Sequence, residues 1–256
     1  MLQAHSFLWN YFWVAPNLFL LVLAILIWKR DLRRQFPIFL AFTILSAAGQ
    51  LALFSADVSP SVTPENFWRI DWATLLIESF FKFLVIGEIF SRVLKPYPSI
   101  SRLGRILVSG LGGALVLAAV LAAAYSRGDG AFQVISGAHL LDQATFMIEV
   151  GVVVFLFLFV AYFRLTWDRP SYGVLLGLGI SACVHLATWA VMTNAAPTAH
   201  QRVLLDLLNM ATYHACVLVW FYYLLVPGKV VAKSPVPLLE NTLDVWNREL
   251  ERLVHP

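Results

Sequence analysis

Residues 7–28 read FLWNYFWVAPNLFLLVLAILIW, an unbroken run without one charged side chain. A helix crossing a bilayer needs about 20 predominantly apolar residues, so this stretch alone predicts a membrane span. Six further stretches of similar character follow: Pro37 to Ala56, Ile70 to Val93, Ile106 to Tyr125, Gly137 to Phe163, Tyr172 to Asn194 and Arg202 to Val226. The reading is an all-α polytopic membrane protein, a seven-transmembrane-helix bundle. Residues 1–227 form the transmembrane domain, and 228–256 a linker with an amphipathic C-terminal helix.

Composition agrees. Hydrophobic residues make up 60% of the chain, charged residues only 13%, and mean hydropathy is +0.76. Those values lie far from the balance of a soluble domain. Seven helices nearly use up 256 residues, which leaves no room for a separate soluble catalytic domain. The N-terminal segment MLQAHSFLWNYFWVAP lacks the basic region and small-residue cleavage site of a signal peptide, so it reads as the first span. Cys183 and Cys216 both fall within spans, and no disulfide framework follows from them.

Charge sets the orientation. If the turn after the first span faces the cytoplasm, that side carries Lys29, Arg30, Arg33, Arg34, Arg92, Lys95, Arg102, Arg105, Arg164, Arg169, Lys229, Lys233, Arg248 and Arg252. The opposite side has Arg69, Arg127 and Arg202. The positive-inside rule then places the N-terminus outside and the C-terminus in the cytoplasm of a plasma or inner membrane. The same rule accounts for the net charge of +3 without nucleic acid as a partner. Trp9, Trp13, Trp28, Trp68, Trp72, Trp167, Trp220, Tyr222 and Tyr223 fall near span boundaries, as interfacial aromatic residues do. Pro60 and Pro64 mark a helix-ending loop, and the small-residue fourth span is expected at the periphery of the bundle.

Interior polarity locates the candidate site. Counting about 1.5 Å per residue from the inner boundary puts Asn17, Gln50, Glu78, Lys82, Glu149, His185 and His214 at a common depth of roughly 15 to 22 Å. An ionised group alone in hydrocarbon costs at least about 2.5 to 3.5 kcal/mol, so these groups require partners or a watery cavity. Glu78 precedes Lys82 by four residues, the favourable order for an intrahelical ion pair. Glu88 lies nearer the cytoplasm, off their stripe, and is expected to snorkel or to pair locally, with Arg92 as one candidate. His139, Asp142, Phe146 and Glu149 share one helix face and predict an acidic path from the outer boundary to the midplane. Ser181, His185 and Thr188 form a second polar stripe, and Asp206, Asn209 and Tyr213, with His214 beside them, a third. Thr43, Ser46 and Gln50 add a milder one.

Each stripe also has a structural explanation, since ion pairs and hydrogen-bonded histidines hold helices together without any ligand. Cys183 with His185, and His214 with Cys216, look like chelating pairs, but residues two apart on a helix point in nearly opposite directions. His185 and His214 together leave haem or a metal as the cofactor chemistry to weigh, and no cofactor is predicted. The topology resembles that of microbial rhodopsins and receptor-like sensor modules. The last span contains no lysine, so the retinal attachment point that this resemblance would imply is missing, and no family site is carried over.

In the tail, Leu239, Leu243, Trp246, Leu250 and Leu253 recur at helical spacing, with Asp244 paired to Arg248 on the polar side. Residues 238–254 are expected to engage a cytoplasmic protein or a second copy of the chain. The functional expectation is a receptor-like sensor that binds a small ligand or a proton in the midplane cavity and signals through this tail. Its site residues are Glu78, Lys82, His139, Asp142, Glu149, His185, Asp206, Asn209 and His214, with Asn17, Gln50, Thr188 and Tyr213 lining the cavity. A proton-coupled small-molecule transporter is the alternative, and an intramembrane haem or metal enzyme the third reading.

Overall fold

Ser6, Thr63 and Thr198 each start a helix by accepting a hydrogen bond from the backbone N–H three residues on. At Thr198 the cap is reciprocal, because the Gln201 side chain accepts from the Thr198 N–H at 2.8 Å. The computed structural model describes residues 6–95, 130–162, 165, 167–194 and 198–226, with isolated helical positions between 100 and 121 and at 245, 247 and 248. Within 130–142 and 193–194 the description is of the backbone alone.

The described elements are α1 (Phe7–Lys29), α2 (Pro37–Val58), α3 (Pro64–Val93), α4 (Gly130–Tyr162), α5 (Arg169–Asn194) and α6 (Ala199–Leu225). A single 3₁₀ turn, Leu32–Arg34, joins α1 to α2, and no strand occurs among the described residues. Five stretches are long and apolar enough to cross a membrane: Phe7–Lys29, Pro37–Val58, Gln143–Tyr162, Arg169–Met192 and Ala199–Leu225. The chain is therefore read as a multi-pass membrane protein. Helix α3 has the length, at 30 residues, but Arg69, Asp71, Glu78, Lys82, Glu88 and Arg92 interrupt its apolar run. The span expected over Ile106 to Tyr125 lies outside the described residues, apart from isolated helical positions.

Two boundaries differ from the hydropathy reading. Helix α3 begins six residues before Ile70, at Pro64, so this proline starts a helix instead of ending one. Its ring presets φ for the first turn, where the missing N–H costs nothing. Helix α4 begins at Gly130, ahead of Gly137. The added residues 64–69 of α3, PENFWR, are too polar to register as span yet still continue the helical hydrogen bonding.

The six helices close into a ring. Each packs against the next in sequence, and α6 packs back against α1. Helices α3 and α4 run parallel, as shown by three successive contacts: Ser79 with Thr145, Lys82 with Glu149, and Phe90 with Phe159. The outer surface is apolar, with Leu18, Val22, Ile25, Phe155, Leu158, Leu208 and Leu218 exposed. Asn17, Thr43, Ser46, Ser79, Thr145, Glu149 and Thr188 are buried. Polar groups inside and aliphatic groups outside suit a lipid solvent, where interhelical hydrogen bonds and close packing hold the bundle.

One end of the ring is solidly filled. Leu20, Leu23, Ile27, Phe36, Phe39, Phe83, Ile86 and Ile89 form its core where α1 and α3 finish and α2 begins. Gly173 and Gly177 bring α5 against α6, because a Cβ at either position would overlap Tyr223 or Trp220. At this end Glu88 corrects the expected local pairing. Its carboxylate crosses to α2 and accepts the N–H groups of Ile38 at 3.1 Å and Phe39 at 3.0 Å. Phe36 at the N-cap has no capping side chain, so a buried anion from α3 supplies what α2 lacks. Arg92 bonds instead to the Gln35 carbonyl at 2.9 Å and lies 3.4 Å from Asp168.

Candidate functional site

The other half of the ring is hollow. A cavity of about 430 Å³ lies between the helices, within the size range of small-molecule sites. Every helix of the ring contributes to its wall. Trp9, Trp13 and Asn17 come from α1; Ser46 and Gln50 from α2; Glu78 and Lys82 from α3. Phe146 and Glu149 come from α4; Ser181 and His185 from α5; Asp206, Asn209 and Tyr213 from α6.

Helical spacing explains this lining. On α6, Asp206, Asn209, Met210, Tyr213 and Trp220 recur at intervals that keep one face toward the centre. On α1, Trp9, Trp13 and Asn17 follow one another four residues apart. Pro16 sits inside α1 and withholds the N–H that would serve the Phe12 carbonyl; one residue on, the Asn17 side-chain amide donates to the Trp13 carbonyl at 2.6 Å.

The charged groups form two connected clusters. Glu78 accepts from the Ser46 hydroxyl at 2.7 Å and the Gln50 amide at 3.3 Å, while Ser46 lies 3.2 Å from the Tyr213 hydroxyl. This network ties α2, α3 and α6 together. Lys82 extends across to α4, where its Nζ is 3.7 Å from Glu149 Oε2 and 4.5 Å above the centre of the Phe146 ring. The expected intrahelical partner, Glu78, thus accepts hydrogen bonds from α2, while Glu149 brings a carboxylate to Lys82 from α4. An interhelical pair suits a hollow bundle because it locks two helices at one depth.

His185 stacks on the opposite side of that assembly, with its ring 4.5 Å from the Phe146 ring and its Nδ1 3.1 Å from the Ser181 carbonyl. Thr188 bonds to Asn209 Oδ1 at 2.9 Å, which fixes the amide at the α5–α6 seam. The cavity ends on an aromatic floor. Trp220 is buried, donates to the Val174 carbonyl at 3.2 Å, and meets Phe39 and Phe42 edge to face.

Four polar atoms in the wall make no hydrogen bond among the described residues. They are Trp9 Nε1, Asn17 Oδ1 and both carboxylate oxygens of Glu149. Glu149 is 1% exposed and Asn17 2%, so neither is an ordinary surface group.

Of the residues singled out from sequence, Asn17, Gln50, Glu78, Lys82, Glu149, His185, Asp206, Asn209 and Tyr213 meet at this cavity. Thr188 sits behind the wall. His214 does not join them. It lies one residue past Tyr213, rotated about 100° around α6, among the rings of Tyr11, Phe12 and Phe19. Common depth therefore did not bring His185 and His214 to one face, and they cannot share a ligand in this arrangement. His139 and Asp142 belong to the α4 backbone, but their side chains lie outside the described residues, as does the tail at 238–254 apart from positions 245, 247 and 248. Among the described residues, no group of three or more His, Cys, Asp or Glu side chains is placed to hold a metal ion.

Sequence reasoning missed the aromatic part of the wall. Trp9, Trp13 and Trp220 were placed at the membrane boundary, whereas all three line the cavity. The signal was present: each shares a helical face with a polar residue already assigned to the interior. Comparison with protein-family models, curated proteins and solved structures gave no match.

Proposed function

We propose that the chain is a receptor-like membrane sensor that binds a small ligand in the cavity between its helices. The carrying observation is the cavity itself, a hollow of about 430 Å³ whose wall takes charged or hydrogen-bonding side chains from all six helices of the ring. Such a wall makes ligand occupancy a force on every helix at once. Lys82, Glu149 and His185 are the charged and tunable groups, and the Ser46–Glu78–Tyr213 network links ligand position to α2, α3 and α6. Signal would leave through the cytoplasmic segment 238–254, docking a protein partner or a second copy.

The parallel run of α3 and α4 supports a seven-crossing topology, because the 36 residues between Val93 and Gly130 must return the chain to the starting end. A helix needs about 20 residues to cross the bilayer, so those 36 residues suffice for a returning span with its connections. The excess of Lys and Arg beyond α1 and α6 supports a cytoplasmic C-terminus.

Native mass spectrometry of gently extracted protein tests ligand binding, with a retained small molecule as the expected result. Deleting residues 238–254 tests signalling. Retained ligand with an unchanged cellular response would remove the sensor reading and leave a binding protein. A second reading, proton-coupled transport, is favoured by the Lys82–Glu149 pair in the cavity wall, since such pairs serve proton relays. Flux into reconstituted vesicles that changes in Glu149→Gln would select it.

A further inference from the structure

We infer that the ligand is an organic ammonium compound, a protonated amine carried on a flat apolar body. This rests on the cavity being a ligand site and specifies the chemistry that it recognises.

The first argument is hydrogen-bond demand. Glu149 is 1% exposed, and neither of its carboxylate oxygens accepts a hydrogen bond among the described residues. Buried carboxylates normally accept several, and leaving them without donors is costly. On the helix opposite in the ring, Asn17 Oδ1 is likewise buried and accepts none. Acceptors thus face the cavity from two sides. A ligand rich in N–H groups meets the demand of these three oxygens; an anion would answer only the one unpartnered donor of the wall, Trp9 Nε1.

The second argument is charge. Among the described lining residues the carboxylates are Glu78, Glu149 and Asp206, and the lysine or arginine is Lys82 alone. Lys82 lies against Glu149, so the wall stays negative after that pairing. Arg202, one turn from Asp206 on α6 and outside the lining, offsets that carboxylate, which leaves one carboxylate in excess of the nearby cations. A negative, low-dielectric concavity concentrates cations.

The third argument concerns shape, and it separates an organic cation from an inorganic one. The described acidic and histidine side chains nowhere gather in threes around a point, as a metal ion requires. Aromatic rings of Trp9, Trp13 and Phe146 supply much of the wall instead. The Lys82 ammonium already shows how such a group is held here, 4.5 Å over the Phe146 ring and 3.7 Å from Glu149. Ring face plus carboxylate is a recurring ammonium subsite. The ligand ammonium approaches Glu149 from the cavity side, donating to the oxygens that Lys82 does not reach within hydrogen-bond distance. Its apolar body lies against the indoles of α1.

Three probes of matched shape decide the matter: phenethylammonium, phenethyl alcohol and hydrocinnamate, titrated against the full chain in lipid nanodiscs by tryptophan fluorescence and calorimetry. The expected result is saturable binding of phenethylammonium, at least about tenfold tighter than either other probe, as one charge-assisted hydrogen bond implies. Glu149→Gln should weaken the ammonium by about the same factor and leave the alcohol unchanged. If that variant does not fold, Lys82→Met with Glu149→Gln removes both charges, and the same loss is expected. Equal or tighter binding of the alcohol or hydrocinnamate, abolished by the cavity-filling Ser46→Trp, would overturn the inference while keeping the cavity as a ligand site. No saturable binding of any probe, in a protein that still retains a non-amine molecule in the mass spectrum, would overturn it too. Probe binding that Ser46→Trp leaves unchanged would refute both the inference and the cavity reading.

Discussion

Lys82 Nζ lies 3.7 Å from Glu149 Oε2, joining two parallel helices at a depth where Glu149 is 1% exposed. The carboxylate accepts no hydrogen bond among the described residues, so its charge depends on this ammonium. Removing the cation is therefore worse than removing both groups. Lys82→Met should destabilise the protein by about 3–5 kcal/mol, because a buried charge is left uncompensated. Lys82→Met combined with Glu149→Leu should recover most of that loss. Thermal unfolding in one fixed detergent measures both, and a double variant less stable than Lys82→Met would refute the pairing.

Glu88 predicts a second effect at the filled end. Its two oxygens accept the first N–H groups of α2, a helix whose own N-cap residue gives none. Glu88→Ala should cost about 1–2 kcal/mol, the usual range for a lost cap. Glu88→Gln keeps one acceptor and should lie between the two. Amide exchange should show the loss first at Ile38 and Phe39; uniform loosening of the whole bundle would argue against a local cap.

Close packing gives a third prediction. A Cβ on Gly177 meets the Trp220 indole, which is itself fixed by its bond to Val174. Gly177→Leu should separate α5 from α6 and destabilise by at least about 1–3 kcal/mol, as overpacking does. Gly151 has nothing within reach of a Cβ, so Gly151→Leu should be tolerated. Equal melting temperatures for the two variants would remove the argument.

Water access should separate the two halves of the ring. In a background of Cys183→Ser and Cys216→Ala, cysteines replacing Gln50 or Ser181 should react with a water-soluble maleimide. Replacements of Leu23 or Phe83, which are fully buried in the core, should not. Labelling of all four positions alike would mean that the cavity does not stop at Trp220.

Much of this arrangement was legible in the residues before the fold. Apolar length announced the helices, and helical spacing selected the faces on which Asn17, Gln50, Glu78, Glu149, His185 and Tyr213 meet. Pairings were harder to read. Glu78 and Lys82 stand one turn apart on α3, yet Glu78 is also held from α2 and Lys82 also meets Glu149 on α4, so partners on neighbouring helices add to what one helix shows. Glu88 was opaque for a related reason: a cap that crosses fifty residues leaves no local pattern. His214 misled through depth alone, since two residues at one level can still face opposite sides of a helix. Tryptophan was ambiguous by chemistry, because one amphipathic ring suits both a headgroup layer and a polar cavity.

The aromatic floor of Phe39, Phe42 and Trp220 also has an electrical meaning. With water in the cavity above it, the packed rings below would make the lower half of the bundle the insulating layer of a local capacitor. A membrane potential would then fall mainly across that layer, and a cation bound near Glu149 as proposed would do work in it only by moving toward the floor. The full drop is worth about 2.3 kcal/mol per charge for each 100 mV. Cation occupancy and floor position would thus be biased together by voltage.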